Sequence, residues 1–353
     1  MAFVVTLDGS GHQFPVEDGE TVLEAAQRAG LALPYSCRSG VCGSCKAIVL
    51  DGQFDYPRNP PTALSAAERA RHAALLCQAV PTSDLVLKAR EVSSVEDMPR
   101  RELVVTVVAK DFPAADVARL WLAVPAGVPR LRWLPGQYVD VLLDDGRRRA
   151  FSLARAPHLG PELVVHVRHV AGGGFTSRVF HELAVGDHLR IAGPQGTFVP
   201  REDSERPMIF VAGGTGFAPI KALVEHFLHL GTRRPMHVYW GARRAADLYM
   251  RALPESWARE VSTLDFVPVV SDPEEARRAH LRAGLVHETV LADWPDLSGF
   301  DIYMCGPPAL IDAGRRSFIE AGLPDGQLYY DSFEYAPDVL RKILASRAGI
   351  HGL

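Results

Sequence analysis

The chain has 353 residues, which at about 150 residues per domain suggests two or three domains. Hydrophobic types make up 47% and charged types 23%, so disordered and collagen-like classes are excluded. Thirty-eight Lys and Arg against 42 Asp and Glu give a net charge of −4, without the basic excess of a nucleic-acid binder. No apolar run approaches the ~20 residues needed to cross a bilayer. The N-terminal residues lack the basic and apolar regions of a secretory signal, so a reducing cytoplasm is the expected compartment.

Three segments follow one another. Residues 1–92 open with Val4-Val5-Thr6-Leu7 and His12-Gln13-Phe14-Pro15-Val16 around Asp8-Gly9, which reads as a β-hairpin. Thr21-Val22-Leu23-Glu24 is a capping box, with Val22, Ala25, Ala26 and Ala29 at helical spacing and Gly30 as a stop. Residues 46–50 and 85–87 read as strands and 65–69 as a short helix. A small mixed sheet with one packed helix is expected, followed by a polar linker at 91–99.

Residues 100–203 carry β-like runs at 102–108, 138–143 and 163–168, punctuated by Pro135-Gly136, Asp145-Gly146 and Gly193-Pro194. They predict a small antiparallel barrel. Residues 206–335 alternate strands (208–212, 236–240, 264–270, 301–304) with helices (one after the glycine turn running through Leu230, others near 245–258 and near 308–321). This order predicts a doubly wound parallel sheet. Residues 338–353 form a tail with no assigned role.

Cys37, Cys42 and Cys45 are spaced C-x4-C-x2-C, with Cys77 as a distant fourth thiol. Four thiolates complete two tetrahedral irons bridged by sulfide, and this is the plant-type [2Fe–2S] spacing. Gly40 and Gly43 let the loop wrap an anion and turn N–H groups toward its sulfurs. Structural zinc usually pairs two C-x-x-C units, and here there is one.

Arg149-Ala150-Phe151-Ser152-Leu153 lies on an expected barrel strand and offers an arginine for a phosphate, a ring for a flavin face and a hydroxyl. A solvated Arg beside a core Phe is the plainer alternative. Gly174-Phe175-Thr176-Ser177 opens a short helix whose N–H groups suit a diphosphate, or simply makes a glycine turn. Gly213-Gly214-Thr215-Gly216-Phe217-Ala218-Pro219 runs from strand to helix, the context of a dinucleotide site, without the G-x-G-x-x-G or Walker pattern. Cys305-Gly306-Pro307 ends a strand where a ligand crevice is expected. Its thiol either faces a nicotinamide or is an ordinary buried cysteine.

Taken in order, Tyr35 to Cys45, Leu76-Cys77-Gln78, Pro135-Gly136-Gln137-Tyr138, Arg149 to Ser152, Gly213 to Gly216, Gly241-Ala242-Arg243 and Cys305 to Pro308 resemble the ferredoxin–NAD(P)H reductase family. The likeness covers about 1–337 and is narrowest to the reductases of naphthalene- and benzoate-type ring-hydroxylating dioxygenases. It implies a β-grasp ferredoxin domain, a flavin barrel and an α/β nucleotide domain. The iron–sulfur domain comes first, the order of the FAD-binding members. By resemblance, Cys37, Cys42, Cys45 and Cys77 hold the cluster. Arg149, Ala150, Phe151, Ser152, Leu153, His166, Val167, Arg168, Gly174, Thr176 and Ser177 bind FAD. Gly213, Gly214, Thr215, Gly216, Pro219, Arg243, Cys305, Gly306 and Pro307 receive NADH, with NADPH as the alternative. Many relatives have Tyr at the place of Phe151. Asp331-Ser332-Phe333 matches a terminal acid-x-aromatic pattern, so Phe333 stacks near the flavin and Asp331 assists a proton. Ser152, Cys305, Asp331 and Phe333 are the catalytic set.

The same resemblance implies hydride transfer to FAD, single electrons to the cluster, and delivery to an oxygenase component or a Rieske-type ferredoxin, with no nucleic acid and no membrane. It puts Cys42 and Cys45 on an exposed docking loop. Alternative acceptors are a diiron monooxygenase or an enzyme of CDP-deoxysugar deoxygenation. Readings from other classes are a redox sensor without turnover and a zinc-binding module.

Overall fold

The computed structural model describes residues 2–58, 61–92, 98–171 and 173–333. The tail at 338–353 and most of the expected linker therefore lie outside the described residues. The chain divides into two compact units, one built on the first sheet and one on the other two.

In the first unit, β1 (Phe3–Leu7) and β2 (Gln13–Val16) form the hairpin, with Phe3 opposite Val16 and Thr6 opposite Gln13. Alternation puts Val5, Leu7, Phe14 and Val16 on one buried face. α1 (Val22–Arg28) starts at Thr21, whose hydroxyl accepts from Glu24 N at 3.2 Å while Glu24 accepts from Thr21 N at 2.9 Å. Val22, Leu23, Ala25 and Ala26 face the sheet. Then come β3 (Lys46–Asp51), β4 (Phe54–Asp55), α2 (Ala66–Ala70), β5 (Ala73–Leu75), β6 (Val80–Pro81) and β7 (Leu85–Lys88). The mixed sheet runs β2-β1-β7-β3-β5 with β1 and β7 parallel, and β4 pairs β6 as a separate ribbon.

The second unit begins with β8 (Arg101–Ala114), β9 (Val117–Ala123), β10 (Tyr138–Leu142), β11 (Arg148–Ser152), β12 (Leu163–Arg168), α3 (Gly174–His181) and β13 (His188–Gln195). The strands order as β11-β10-β13-β8-β9-β12. A single bridge between Leu153 and Val165 joins the two ends, so the sheet closes into the expected barrel. Val105, Leu120, Val139, Leu153, Val165, Val167 and Ile191 fill its interior.

The chain continues through β14 (Met208–Gly213), α4 (Phe217–His229), β15 (Met236–Ala242), α5 (Ala252–Glu260), β16 (Leu264–Val270), α6 (Pro273–Ala279), β17 (Arg282–Ala283), α7 (Val286–Asp293), β18 (Asp301–Gly306), α8 (Pro308–Glu320) and β19 (Leu328–Ser332). The sheet runs β17-β16-β15-β14-β18-β19, every pair parallel. Every residue of β14 and β18 is buried, as covering by helices on both faces requires. Strand order reverses between β14 and β18, so the carboxyl ends of these two strands mark the ligand crevice of such a sheet. The helix expected near 245–258 is broken: a short 3-10 turn at Ala245–Asp247 precedes α5. Asp247 accepts from the backbone N and guanidinium of Arg244, which stabilises that turn and interrupts the helix.

The opposite end of the sheet is tied by Arg234. Its guanidinium bonds Asp301 at 2.6 Å and the carbonyls of Arg206 and Arg201 at 2.7 and 2.8 Å, and Asp301 is fully buried. Arg234→Met strands that carboxylate and is expected to cost about 3–5 kcal/mol, read as a lower urea midpoint. An unchanged midpoint would show that the pair does not hold the sheet.

Candidate functional site

The thiol site is organised by backbone bonds around it. The first-turn amides of α1, Val22 N and Leu23 N, donate to the carbonyls of Ala79 and Leu76, which flank Cys77, both at 3.0 Å. Leu76 N in turn donates to Cys45 O at 3.0 Å, so the distant cysteine is held against the loop. Arg38, Gly40 and Gly43 adopt left-handed backbone, curling residues 37–45 into a tight cup. A Cβ at Gly40 would stand 2.9 Å from Gln78 Cγ, and Gln78 Nε2 donates to Arg38 O at 2.9 Å.

The four thiols influence one another. Cys42 lowers the Cys37 thiol to about 5 and Cys45 lowers that of Cys77, with Cys37 acting on Cys77 as well. The Cys42 and Cys45 thiols are pushed well up, first by Cys37 and Cys77 respectively and then by burial, and Cys42 Sγ lies 3.4 Å from Ser44 Oγ. Backbone amides point at the sulfurs: Ser39 N at 3.4 Å from Cys37 Sγ and Ser44 N at 3.5 Å from Cys42 Sγ, with Gly40 N directed to Cys77. No three described His, Cys, Asp or Glu residues converge as a site for one ion. Four thiols lined by N–H donors suit two bridged irons better than a single zinc. The loop is exposed at Ser39 and Val41, while the Cys42 and Cys45 side chains are each only 3% exposed.

The second site lies where β14 and β18 end. The turn 213–216 lies against Cys305 and Gly306: a Cβ on Gly216 would fall 2.1 Å from Cys305 O, and one on Gly213 would fall 2.7 Å from Leu310 and 2.9 Å from Pro307. Only glycine permits this approach. β19 sits beside β18 with Asp331 opposite Cys305 and Ser332 opposite Gly306. Phe333 N extends the ladder to Gly306 O at 2.9 Å, and its half-buried ring follows directly. From the barrel, Ser152 Oγ donates to Asp331 Oδ2 at 3.5 Å, both residues buried. Cys305 is fully buried; burial, and then the Asp331 carboxylate, push its thiol well up, so it stays a neutral S–H.

The structure thus brings together Ser152, Asp331, Cys305, Gly306, Phe333 and the 213–216 turn. Around them, Phe151 packs on Phe175 with centroids 5.5 Å apart, joining β11 to the first turn of α3. Arg168 reaches Asp116 at 3.1 Å, yet its Nε and Nη2 are buried with no hydrogen-bond partner. Orphaned guanidinium N–H groups fit an anionic group such as a flavin diphosphate.

Other expected residues have different engagements. Leu153 and Val167 face the barrel core, so only their backbone can meet a ligand. His166 Nδ1 pairs with Tyr249 Oη at 2.8 Å, and burial keeps the imidazole neutral. Thr176 Oγ1 closes its own turn on Val170 and Gly173, and Ser177 Oγ lies 3.4 Å from His169. Gly174 and Ala150 are exposed, Pro219 is buried in α4, and Arg243 is exposed just past β15. Sequence reasoning missed Trp240 and Tyr249, since nothing in their local spacing ties them to residues 26 and 83 positions away.

Comparison with known proteins agrees with this geometry. Residues 5–82 match the 2Fe-2S iron-sulfur cluster binding domain, 104–199 the oxidoreductase FAD-binding domain and 210–316 the oxidoreductase NAD-binding domain. These define an iron–sulfur flavoprotein oxidoreductase that uses NAD(P)H. CDP-6-deoxy-L-threo-D-glycero-4-hexulose-3-dehydrase reductase of Yersinia pseudotuberculosis is 37% identical over 333 residues, covering 94% of this chain and 99% of that one. Terephthalate 1,2-dioxygenase reductase component 1 of Comamonas is 32% identical, covering 92% and 95%. The crystal structure of the Amycolatopsis cytochrome P450 reductase GcoB superposes with a TM-score of 0.73 at 34% identity, covering 94% and 98%. The chain belongs to the ferredoxin–NAD(P)H reductase family, among its three-domain members with a [2Fe–2S] domain.

Gly216→Ala is expected to raise KM for NADH at least about tenfold or to prevent folding, since the obstacle is backbone. Gly174→Ala, where a Cβ meets nothing within 4 Å, provides the control for yield and cluster content. Wild-type kinetics in Gly216→Ala would show that the close approach is not required.

Proposed function

We propose that this chain is an NADH-dependent reductase that supplies electrons to an oxygenase component, directly or through a Rieske-type ferredoxin. The observation that carries the reading is the cup of cysteines with backbone N–H groups aimed at its sulfurs, in a chain that also brings the 213–216 turn, Cys305, Asp331 and Ser152 together. Oxygenase reductases among the relatives support the same choice. That no disulfide joins the five cysteines suits the reducing cytoplasm we assign.

Cys37, Cys42, Cys45 and Cys77 hold the cluster, and Arg149, Arg168 and the amides opening α3 hold the phosphates of FAD. When bound, FAD would supply hydride acceptance from the nicotinamide and single-electron release to the cluster. The chain's own residues set the conditions. The Phe151 and Phe333 rings would help to hold the flavin and keep water from it. Ser152 Oγ keeps its proton in reach of a buried carboxylate, Asp331 Oδ2, so a proton can be exchanged without solvent. The neutral Cys305 thiol is fully buried beneath the crevice, where it does not act as a nucleophile. Residues 213–216 and 305–307 receive the dinucleotide.

NADH is favoured over NADPH because Asp247 already engages the Arg244 guanidinium, at 3.1 Å from Nη2 to Oδ1, and so competes there with a 2′-phosphate. The ratio of kcat/KM should favour NADH by at least about tenfold, the equivalent of one charge-assisted bond. A reversed ratio refutes the assignment. A second reading, delivery to a CDP-deoxysugar dehydrase, is favoured by the 37% identity to such a reductase. Reduction rates measured with a purified oxygenase and with a purified dehydrase separate the two.

Cys77→Ser should abolish the cluster's visible absorbance and cytochrome c reduction, while NADH–ferricyanide activity through the flavin largely survives. Joint loss of both activities would refute the modular scheme.

A further inference from the structure

The turn that receives the dinucleotide is held from beneath by a residue outside every recognised motif. Trp240, fully buried on β15, donates its indole Nε1–H to Gly214 O at 2.9 Å. The ring is fixed on two sides: Phe217 stacks on it at 3.8 Å and 9°, and Tyr249 meets it edge-on at 5.2 Å and 89°. The same Gly214 carbonyl accepts Phe217 N, the first bond of the turn entering α4. Gly214 has φ +55°, a left-handed conformation that suits glycine and lets the turn reverse here.

A trans peptide carries its C=O and N–H on opposite sides. With Gly214 O drawn inward to Trp240, the N–H of Thr215 is directed outward, at the half-buried surface of the turn. We infer that Trp240 is a positioning residue of the nucleotide site: its indole N–H sets the Gly214–Thr215 peptide so that Thr215 N–H meets the diphosphate of NADH. This rests on the reading of residues 213–216 as the dinucleotide turn. The plainer account is a core tryptophan that merely needs an acceptor for its N–H. The two differ in which substrates feel the loss of the bond.

The test uses the holoprotein with ferricyanide as acceptor and two hydride donors, NADH and 1-benzyl-1,4-dihydronicotinamide, which has no phosphate. Trp240→Phe keeps a stacking ring and removes the donor. It is expected to raise KM for NADH about fivefold, the value of one net hydrogen bond, while kcat changes less than about twofold. Kinetics with the benzyl donor should be unchanged. An equal penalty for both donors, or none for NADH, overturns the inference. Tyr249→Phe, which keeps the edge contact, should leave KM for NADH within about twofold of the parent. A matching rise would mean that general loosening of the aromatic cluster is responsible, and would overturn it too.

If Trp240→Phe does not retain its flavin, amide exchange in the unaltered holoprotein decides. Thr215 N–H should exchange rapidly without nucleotide and become protected with saturating NAD⁺. Protection already present without nucleotide refutes the outward amide. A parent protein that does not oxidise NADH overturns the functional reading itself, a result distinct from any of these.

Discussion

The second unit depends on one close backbone contact, between the glycine turn after β14 and the end of β18. A Cβ at Gly216 would stand 2.1 Å from Cys305 O, so the two segments meet at a distance only bare backbone allows. That contact fixes where Cys305 ends its strand. Because β19 takes its register from β18, it also fixes Asp331 and Phe333. The barrel then needs to contribute only Ser152 to complete a buried serine–aspartate hydrogen bond. Three chain segments far apart in sequence are placed by a single steric condition.

The first unit solves a different problem, assembling four soft anions without a disulfide. Its means are backbone: the α1 amides hold the carbonyls on either side of Cys77, left-handed residues curl the loop, and N–H groups face the sulfurs. Four thiolates are what the two irons of a plant-type centre require of their ligands. The protein supplies the geometry, and the redox chemistry belongs to the groups it carries.

What could be read from sequence was local. The capping box at Thr21, the cysteine spacing, the glycine turn and the alternation of strand and helix all act within a few residues, and each appears where expected. What could not be read depends on pairing across the chain. β9 and β13 show their role only beside β8, and β19 is a short run that makes sense only against β18. That the Cys42 and Cys45 side chains are buried within a loop exposed at Val41 is nothing their spacing displays. The break after Arg244 follows from an Asp247 bond that helical periodicity conceals. The orphaned nitrogens of Arg168 and the bond from Trp240 to Gly214 join positions with no shared pattern.

The barrel's closure has a consequence for the strand at its seam. β11 pairs with β10 along Arg148–Ser152, but on its other side it meets β12 only through the bridge at Leu153. The strand Arg148–Ser152 therefore has a ladder neighbour on one flank for most of its length, and such a border is a template for a foreign strand. The exposed charge of Arg148 on that strand is the kind of side chain that deters self-association.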